Sequence, residues 1–481
     1  MKLQSRLAAP LPAPLRIDGG GEVSPESLES WIAAASPLLS GQRPLALISG
    51  NSAEVLAAEM AATRAGRPLL VLPCFFADDA LRHALDEVAP EWILCDDAAL
   101  AARLGAGQAS SCLGRLGIHP SGRLARTPPP RRCARITYTS GSTGRPKGLC
   151  LSWTMLERSL ASLQEAIGAR SGEVFLSFMP YSILLETLAG LYLPLICGGR
   201  SVILPGIRRP LAEAEAVLAA IERHQVAVTV MMPQLLRDLC LLMRRQGLAA
   251  PPCLRFIGVG GARVGRDLIE EAHRLGLPVR EGYGLTEAAS VVCLNTAAAM
   301  RPGSVGRPLP HCRLHLAADG EILVDGDFDS CFLDGSAPFL DAEGRLATGD
   351  LGEIDAEGYL HVVGRKKNLF ISSLGRNLSP EWLEEELLRE AGLRRAFVFG
   401  EGRPAPLALI ETELAPDELE ALRLRVNGRL GAHARLAELK PVGPEWFLQP
   451  GLLTPNGRFQ RPACEAAAAR LFATSPEEIP R

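Results

Sequence analysis

The stretch Ile136-Thr-Tyr-Thr-Ser-Gly-Ser-Thr-Gly-Arg-Pro-Lys147-Gly148 joins a β-branched run to a loop of small residues. Residues 134–138 predict a buried strand, and the glycines after it let backbone N–H groups approach a polyanion. Lys147 adds a positive charge, and further donors are supplied by the hydroxyls of Thr139, Ser140, Ser142 and Thr143. The stretch therefore predicts a phosphate-binding loop. It is not a Walker loop, because Pro146 replaces the glycine that precedes the lysine in that pattern.

The alternative interpretation of this stretch is an ordinary Ser/Gly-rich turn. The use of lysine argues against that alternative. Only 5 of the 51 basic residues are lysine, the remainder being arginine. Three of the five, Lys147, Lys366 and Lys367, fall in two glycine-containing motifs.

Length and composition predict a soluble, multidomain protein. The 481 residues exceed one ordinary domain, and the net charge of −3 excludes a basic field for nucleic acid. The N-terminus lacks a continuous apolar segment, and the apolar stretch 183–197 is too short to span a membrane. The 12 cysteines form no Cys-x-x-Cys pair, which indicates free thiols in a reducing cytoplasm. His311 and His315 flank Cys312, but no further ligand cluster supports a metal site there.

The order of apolar and helical patterns predicts an α/β fold. Short apolar runs alternate with helical periods from residue 27 to residue 275, which predicts two doubly wound sheets packed through helices. Residues 301–364 change to short strands with tight turns, a small β-rich subdomain. Beyond Lys367, two helical and two strand patterns predict a separate α+β domain. We therefore expect a large N-terminal domain, residues 1–366, and a mobile C-terminal domain, residues 367–481.

Three later motifs carry further chemistry. Gly282-Tyr-Gly-Leu-Thr-Glu287 places an aromatic ring, a hydroxyl and a carboxylate on one predicted loop. Val259-Gly-Gly-Ala262 ends a predicted strand, where glycines admit a flat ligand. Thr348-Gly-Asp350 precedes Gly364-Arg-Lys-Lys-Asn368, so Asp350 is a candidate acceptor for vicinal ribose hydroxyls, with Arg365 in support. Taken singly, each motif is also compatible with a plain turn or hairpin.

Together and in this order, the motifs resemble the ANL superfamily of adenylate-forming enzymes. The resemblance covers most of the chain, and its branch is similar to bacterial long-chain acyl-CoA synthetases in the segments Ser177–Pro194 and Leu452–Arg461. It implies an ATP- and Mg²⁺-dependent ligase that adenylates a medium- or long-chain fatty acid and transfers it to CoA. The alternatives are a ligase that loads the phosphopantetheine arm of a carrier protein, and a non-catalytic nucleotide or acyl binder.

The resemblance also implies a role for each matching residue. The phosphates of ATP would contact loop residues Thr139, Ser140, Gly141, Ser142, Thr143, Gly144 and Lys147. Adenine would lie against Gly260, Gly261, Ala262 and Tyr283. Thr286 would contact the α-phosphate, Glu287 would bind Mg²⁺, and Asp350 with Arg365 would bind ribose. Lys367 resembles the hinge, and Gly375 would approach the thiol arm.

Two positions depart from the family pattern. Arg458 replaces the catalytic lysine near the C-terminus, and its planar guanidinium is bulkier than an ammonium. Ile183 replaces the usual histidine beside the acyl pocket, which predicts a more apolar wall. No aspartate lies between Phe175 and Gly199 to pair with a substrate ammonium, so an amino acid substrate is disfavoured. Aryl acids remain an alternative to an acyl chain.

Overall fold

The structure is a computed structural model of the full chain. It describes residues 2–11, 15–124, 129–130, 132–139, 147–205, 213–336, 340–390, 392–449, 451–453 and 458–473. Within these ranges no helix is long and apolar enough to cross a bilayer. The predicted loop residues 140–146, and Asn456 with Gly457, lie outside the described residues.

Two large sheets are built by the N-terminal two thirds of the chain. In order across what we call the first sheet, the described strands are Cys331–Phe332, Lys147–Ser152, Cys133–Thr139, Leu69–Pro73, Leu45–Ser49, Trp92–Cys95, Leu116–Pro120 and Ser111–Leu113. Across the central sheet they are Arg307–Pro308, Ser290–Leu294, Val279–Leu285, Phe256–Val259, Val228–Met231, Val174–Ser177, Arg200–Ile203, Leu15–Ile17 and Gly21–Val23. Both sheets are parallel at their centres and antiparallel at their edges.

Helices pack between and around these sheets. The α-helices of this region are Leu3–Ala8, Pro25–Ala34, Ala53–Arg64, Asp78–Val88, Ala98–Arg103, Trp153–Ile167, Leu184–Glu186, Leu193–Cys197, Ala214–His224, Pro233–Gln246 and Arg266–Arg274. Shorter turns of 3₁₀- or π-helix occur at Ser36–Leu39, Thr187–Tyr192 and Thr286–Ala288. Residues 53–63 are all buried, and their alanines let this helix lie between the two sheets. One hydrophobic cluster accordingly contains side chains of both sheets, which confirms the predicted α/β architecture.

Smaller sheets follow in the rest of the chain. The small sheet contains Cys312–Leu316, Glu321–Gly326, Leu346–Ile354 and Leu360–Arg365, as the predicted β-rich subdomain requires. A 3₁₀ turn, Lys366–Asn368, and a hairpin, Phe370–Ile371 with Asn377–Leu378, come next. The C-terminal sheet contains Leu393–Phe399, Leu407–Thr412 and Glu438–Val442. It packs with helices and turns at Pro380–Leu388, Pro416–Arg429, Ala432–Ala434, Pro444–Phe447 and Arg461–Ala473.

One prediction of local structure was wrong. The predicted loop at Gly282 is part of the strand Val279–Leu285, which pairs with Ser290–Leu294. Here sheet pairing overrides the local preference of glycine for turns.

Candidate active site

A cavity of about 710 Å³ opens where strands of the central sheet meet the small sheet and the C-terminal residues. It begins at the carboxyl end of Phe256–Val259, the edge where open α/β sheets bind ligands. Its volume lies in the range of small-molecule sites. The described lining falls into two groups.

The charged wall consists of charged residues and one threonine, which come from five separate segments of the chain. Its members are Lys147, Thr286, Glu287, Glu321, Arg365, Lys366, Lys367 and Arg458. The apolar wall consists of side chains that also belong to, or pack against, the main hydrophobic cluster. Its members are Leu163, Ile167, Ile183, Leu184, Leu185, Val230, Phe256, Val291 and Leu294. The cavity therefore combines a charged surface with a pocket that enters the core.

Lys147 lies at the start of its strand, opposite Thr139 in the antiparallel pair. Its ammonium lies 5.3 Å from the centroid of the Phe332 ring and lines the cavity. The strand pairing thus places Thr139 beside Lys147, the two described residues that flank the segment 140–146. The roles predicted for Ser140, Gly141, Ser142, Thr143 and Gly144 concern residues outside the described ranges, and nothing is described for the Thr139 side chain.

Tyr283, Asp350 and Arg365 form one hydrogen-bonded group. The Tyr283 hydroxyl donates to Asp350 Oδ2 at 2.7 Å, and Arg365 Nε donates to Asp350 Oδ1 at 2.6 Å. Cross-strand pairing sets the second contact, because Asp350 and Arg365 are direct partners in the small sheet. Burial raises the pKa of Tyr283 well above its usual value, and the Asp350 carboxylate adds to this shift. The phenol therefore stays protonated and holds the carboxylate in place.

Glu287 faces the cavity from the 3₁₀ turn that follows the strand Val279–Leu285. Ser330 fixes this turn by donating from its hydroxyl to the Glu287 carbonyl at 2.8 Å. Burial raises the pKa of the Glu287 carboxyl, whereas Arg365 and Arg458 lower it. Mg²⁺ bound with a nucleotide needs one or two carboxylates and completes its shell with phosphate and water. The Glu287 carboxylate therefore fits that ion, whereas Glu321, the other carboxylate of the charged wall, is paired with Lys366.

The backbone at Gly260 and Gly261 forms part of the cavity surface. A Cβ at Gly260 would lie 2.9 Å from the Gly282 carbonyl oxygen, and Gly261 has φ +82°, so larger residues are disfavoured at both positions. Ala262 is exposed and lies outside the described lining. Asp350 is likewise not among the described lining residues, but it accepts hydrogen bonds from two of them, Tyr283 and Arg365.

Arg458 extends into the cavity from the C-terminal region. Its Nη2 donates to the Gly261 carbonyl at 2.6 Å. Removal from bulk water lowers the pKa of Arg458, and Arg365 lowers it further, while Asp350 and Glu287 counteract the shift. The structure thus brings Arg458 and Gly261 together with Glu287, as the predicted set requires. Lys367 also lines the cavity, whereas Gly375 lies in the turn of the hairpin that follows, away from the described lining.

Sequence reasoning missed a set of contacts that position the C-terminal helix Pro380–Leu388. Arg389 Nη2 donates to Asp267 Oδ1 at 2.7 Å, and Glu385 forms an ion pair with Arg263. The buried Glu281 carboxylate accepts from the Val264 N–H at 3.4 Å, and burial raises its pKa to about 8. These residues carry no motif, so only the tertiary structure reveals their proximity.

The described residues contain no cluster of three or more histidine, cysteine, aspartate or glutamate side chains arranged to hold a metal. None of the 12 cysteines, all of which lie in the described ranges, forms a disulfide.

Comparison with known proteins agrees with this geometry. The family described as AMP-binding enzyme matches residues 34–327, more than half of the chain. The chain belongs to the AMP-binding enzyme family. A 2-succinylbenzoate–CoA ligase from Bacillus cereus is 32% identical over 281 residues, which are 55% of this chain and 56% of that relative. An indoleacetate–CoA ligase from Aromatoleum aromaticum is 34% identical over 284 residues, which are 55% of this chain and 54% of that relative.

The chain therefore spans about half the length of these curated relatives. The fold likeness extends further. The crystal structure of an anthranilate CoA ligase in complex with anthranoyl-AMP superposes with a TM-score of 0.80 at 19% identity, covering 98% of each chain. The AMP-binding enzyme fold, with its large N-terminal and smaller C-terminal domain, is thus shared across nearly the whole chain.

Proposed function

We propose that this chain activates an aromatic carboxylic acid with ATP and transfers the acyl group to the thiol of CoA. The observation that carries the proposal is one cavity in which Lys147, Glu287 and Arg458 face an apolar wall that enters the core. Such a cavity suits two substrates, one polyanionic and one apolar. The match of residues 34–327 to the AMP-binding enzyme family supports the same nucleotide.

In this proposal, residues of the charged wall and of the loops next to it bind the parts of ATP and the substrate carboxylate. Lys147 and the loop 139–146 hold the phosphates of ATP, Gly260–Ala262 and Tyr283 contact adenine, and Asp350 with Arg365 holds ribose. Thr286 contacts the α-phosphate, while Arg458 binds the substrate carboxylate and an α-phosphate oxygen. Mg²⁺ at Glu287 would supply positive charge that neutralises the phosphates.

The chemistry proceeds in two balanced steps. A carboxylate oxygen attacks the α-phosphorus of ATP, forms an acyl-adenylate and releases pyrophosphate. The sulfur of CoA then attacks the acyl carbon, the thiol loses its proton, and AMP leaves. The protein contributes position and charge to both steps and needs no nucleophile of its own. We propose that the domain beginning at residue 367 turns about Lys367 between the steps, which brings Gly375 towards the thiol.

The relatives described above are named for aromatic acids and for CoA. For this reason we do not retain the medium- or long-chain fatty acid that the sequence resemblance implied, and we prefer CoA to a carrier protein as acceptor. The cavity surface supports a flat acid. Gly258, Gly282 and Gly284 all line it, and a strand surface without side chains accepts the face of a ring.

One experiment tests the proposal. The purified chain is incubated with ATP, Mg²⁺ and benzoate, phenylacetate, indoleacetate, hexanoate or decanoate, and pyrophosphate release is measured with CoA, with a phosphopantetheinylated carrier protein, and with neither. We expect release and thioester formation with an aromatic acid and CoA. Activity confined to decanoate, or to the carrier, would contradict the assignment. Absence of turnover with nucleotide binding retained would identify a binder. Lys147→Ala is the matched control, expected to reduce release with every acid.

A further inference from the structure

Every charged side chain among the described residues that line the cavity belongs to the charged wall, and the polar lining residues next in sequence to the apolar wall, Ser182 and Ser290, are uncharged. The members of the apolar wall belong to the core cluster or, as Ile183 and Leu185 do, pack against it, so a ligand held there is largely removed from water. Transfer of an unpaired carboxylate into such surroundings is strongly unfavourable. The charge on the acid's tail is therefore decided by whether a cation lies within reach of the wall.

Arg255 is the basic residue next in sequence to the wall residue Phe256. All three nitrogens of its guanidinium already donate hydrogen bonds within the protein. Nε and Nη2 donate to the two carboxylate oxygens of Glu173 at 2.7 and 2.8 Å, and Nη1 donates to the Ile167 carbonyl at 2.7 Å. The ion pair offsets the charge of Arg255 and occupies its donors, and Arg255 is not among the described residues that line the cavity. This arginine cannot serve a substrate anion without leaving Glu173 unpaired.

Glu186, the acidic residue next to the wall along the chain, offers no positive charge to a substrate anion. Glu186 follows the wall residues Ile183–Leu185, is fully buried, and accepts hydrogen bonds from the Ser177 hydroxyl and the Phe178 N–H. A second carboxylate on the substrate would therefore meet an apolar surface backed by an acid, with no compensating cation in the described part of the wall.

We propose that the acid is a monoanion whose ring carries no charged substituent, an inference that rests on the proposed function. Its single carboxylate is the reacting one and lies towards Arg458, while the uncharged ring fills the apolar wall. The proposal distinguishes between the acids for which the two relatives are named. Indoleacetate has one carboxylate, as the proposal requires, whereas 2-succinylbenzoate has two.

A pair of acids that differ by one carboxylate tests this inference. We would compare 4-oxo-4-phenylbutanoate with 2-succinylbenzoate, which carries an additional carboxylate on the ring, and with its ring methyl ester, which matches its bulk without the charge. We expect kcat/KM for pyrophosphate release to be at least about 100-fold lower for the dianion than for the monoacid, with the ester retaining most of the activity. Equal or better use of the dianion would overturn the inference.

Calorimetric binding of the same acids in the presence of AMP separates this inference from the proposed function. If no acid is turned over, the proposed function fails. A monoacid that binds at least about 100-fold more tightly than the dianion still supports an uncharged tail. Equal binding of the two acids contradicts it, whatever the turnover.

Substitution of the wall provides a second test. Ile183→Lys introduces a cation, and Ile183→Met is the uncharged control of similar length. Relative to Ile183→Met, we expect Ile183→Lys to raise the dianion-to-monoacid ratio of kcat/KM at least about 10-fold, as a charge-assisted contact provides. Leu185→Lys with Leu185→Met repeats the test at a second position. Circular dichroism and an unchanged KM for ATP establish that each variant is folded. An unchanged ratio at both positions would contradict the inference.

Discussion

The charged wall is assembled from short motifs, whereas the apolar wall is assembled from single side chains on separate elements. Lys147, Glu287, Arg365 and Arg458 each lie in a motif of a few residues with small or glycine neighbours. The apolar wall instead takes residues from a helix, a helical turn and three strands between positions 163 and 294. Charge must be placed at fixed points on a triphosphate, but an apolar surface only needs the right shape and volume.

This difference between the two walls indicates which substitutions abolish a contact with the nucleotide and which alter the choice of acid. A change at one charged position removes a contact that no neighbour replaces. A change in the apolar wall is shared by several neighbours and alters which acid fits. We therefore expect variants of the charged wall to affect turnover or the KM for ATP, and variants of the apolar wall to affect the KM for the acid.

The largest effect is expected at Arg458. Arg458→Ala removes the cation that lies beside Glu287 and is fixed by the Gly261 carbonyl. We expect adenylate formation to fall by about 10²-fold or more, about 3 kcal/mol for a preorganised charge. Pyrophosphate exchange measures this step, and thioester formation from supplied acyl-adenylate should change little. Arg458→Lys, which restores the family's usual residue, should retain or raise activity. A silent Arg458→Ala would show that a different cation serves adenylation.

Asp350 should give the second-largest effect, confined to the nucleotide. Its carboxylate holds Tyr283 and Arg365, and hydrogen bonds to a charged group contribute about 1.5–3 kcal/mol. We expect Asp350→Ala to raise the KM for ATP by about 10- to 100-fold while the KM for the acid stays within about twofold. Tyr283→Phe is the control that removes one partner and keeps the carboxylate. An unchanged KM for ATP would exclude a ribose contact at Asp350.

The sequence allowed the charged wall to be predicted except at Glu321, because each motif is local and Glu321 lies in none of them. Lys147, Gly260, Gly261, Tyr283, Thr286, Glu287, Arg365, Lys367 and Arg458 all line the cavity. Alternating strands and helices likewise predicted both large sheets, since these periodicities depend on neighbouring residues. The placement of the C-terminal helix by Arg389 and Asp267 was not predictable, because the two residues are 122 positions apart.

The apolar wall was predicted only at one point, Ile183. Phe256, Val230 and Leu163 look like ordinary core residues in the sequence, and the structure shows that they also belong to the core cluster. Their second role depends on a cavity that forms only when the central sheet and its helices pack together. A fatty acid and an aromatic acid are therefore equally compatible with the apolar composition of these segments, which explains why the substrate expected from sequence differs from the one we propose.

A smaller effect, on the acid alone, is expected at Gly258. This glycine lies between Phe256 and Val230, two members of the apolar wall on the same face of the sheet. An added Cβ would lie 3.0 Å from Val230 Cγ1 and 3.1 Å from Phe256 Cε1. Either these two side chains or the bound acid must therefore shift. We expect Gly258→Ala to raise the KM for an aromatic acid by about 10-fold, in line with about 1–3 kcal/mol for overpacking.

The control for that variant is Gly428→Ala, where an added Cβ meets nothing within 4 Å. It should leave the KM values for the acid and for ATP unchanged. If Gly258→Ala raises the KM for ATP as much as that for the acid, the two walls do not act separately and the comparison fails.

The smallest effect on catalysis is expected at Glu186, which lies behind the apolar wall. Burial raises its pKa to about 8, whereas hydrogen bonds from Ser177 and the Phe178 N–H act in the opposite direction. A carboxyl with a raised pKa in the folded state contributes stability that is complete below its ordinary pKa, near 4.5, and is lost as the pH rises towards 8.

Glu186→Gln removes this titration. Between about pH 5 and 8, the free energy of unfolding of the wild type should therefore fall relative to that of Glu186→Gln, by at most about 1.4 kcal/mol per pH unit. Urea unfolding at several pH values measures the difference. Glu413→Gln, at a side chain 90% exposed, is the control and should run parallel to the wild type. Parallel curves for Glu186→Gln and wild type would mean that the carboxylate is ionised at neutral pH, and that the space behind the apolar wall is more polar than its lining indicates.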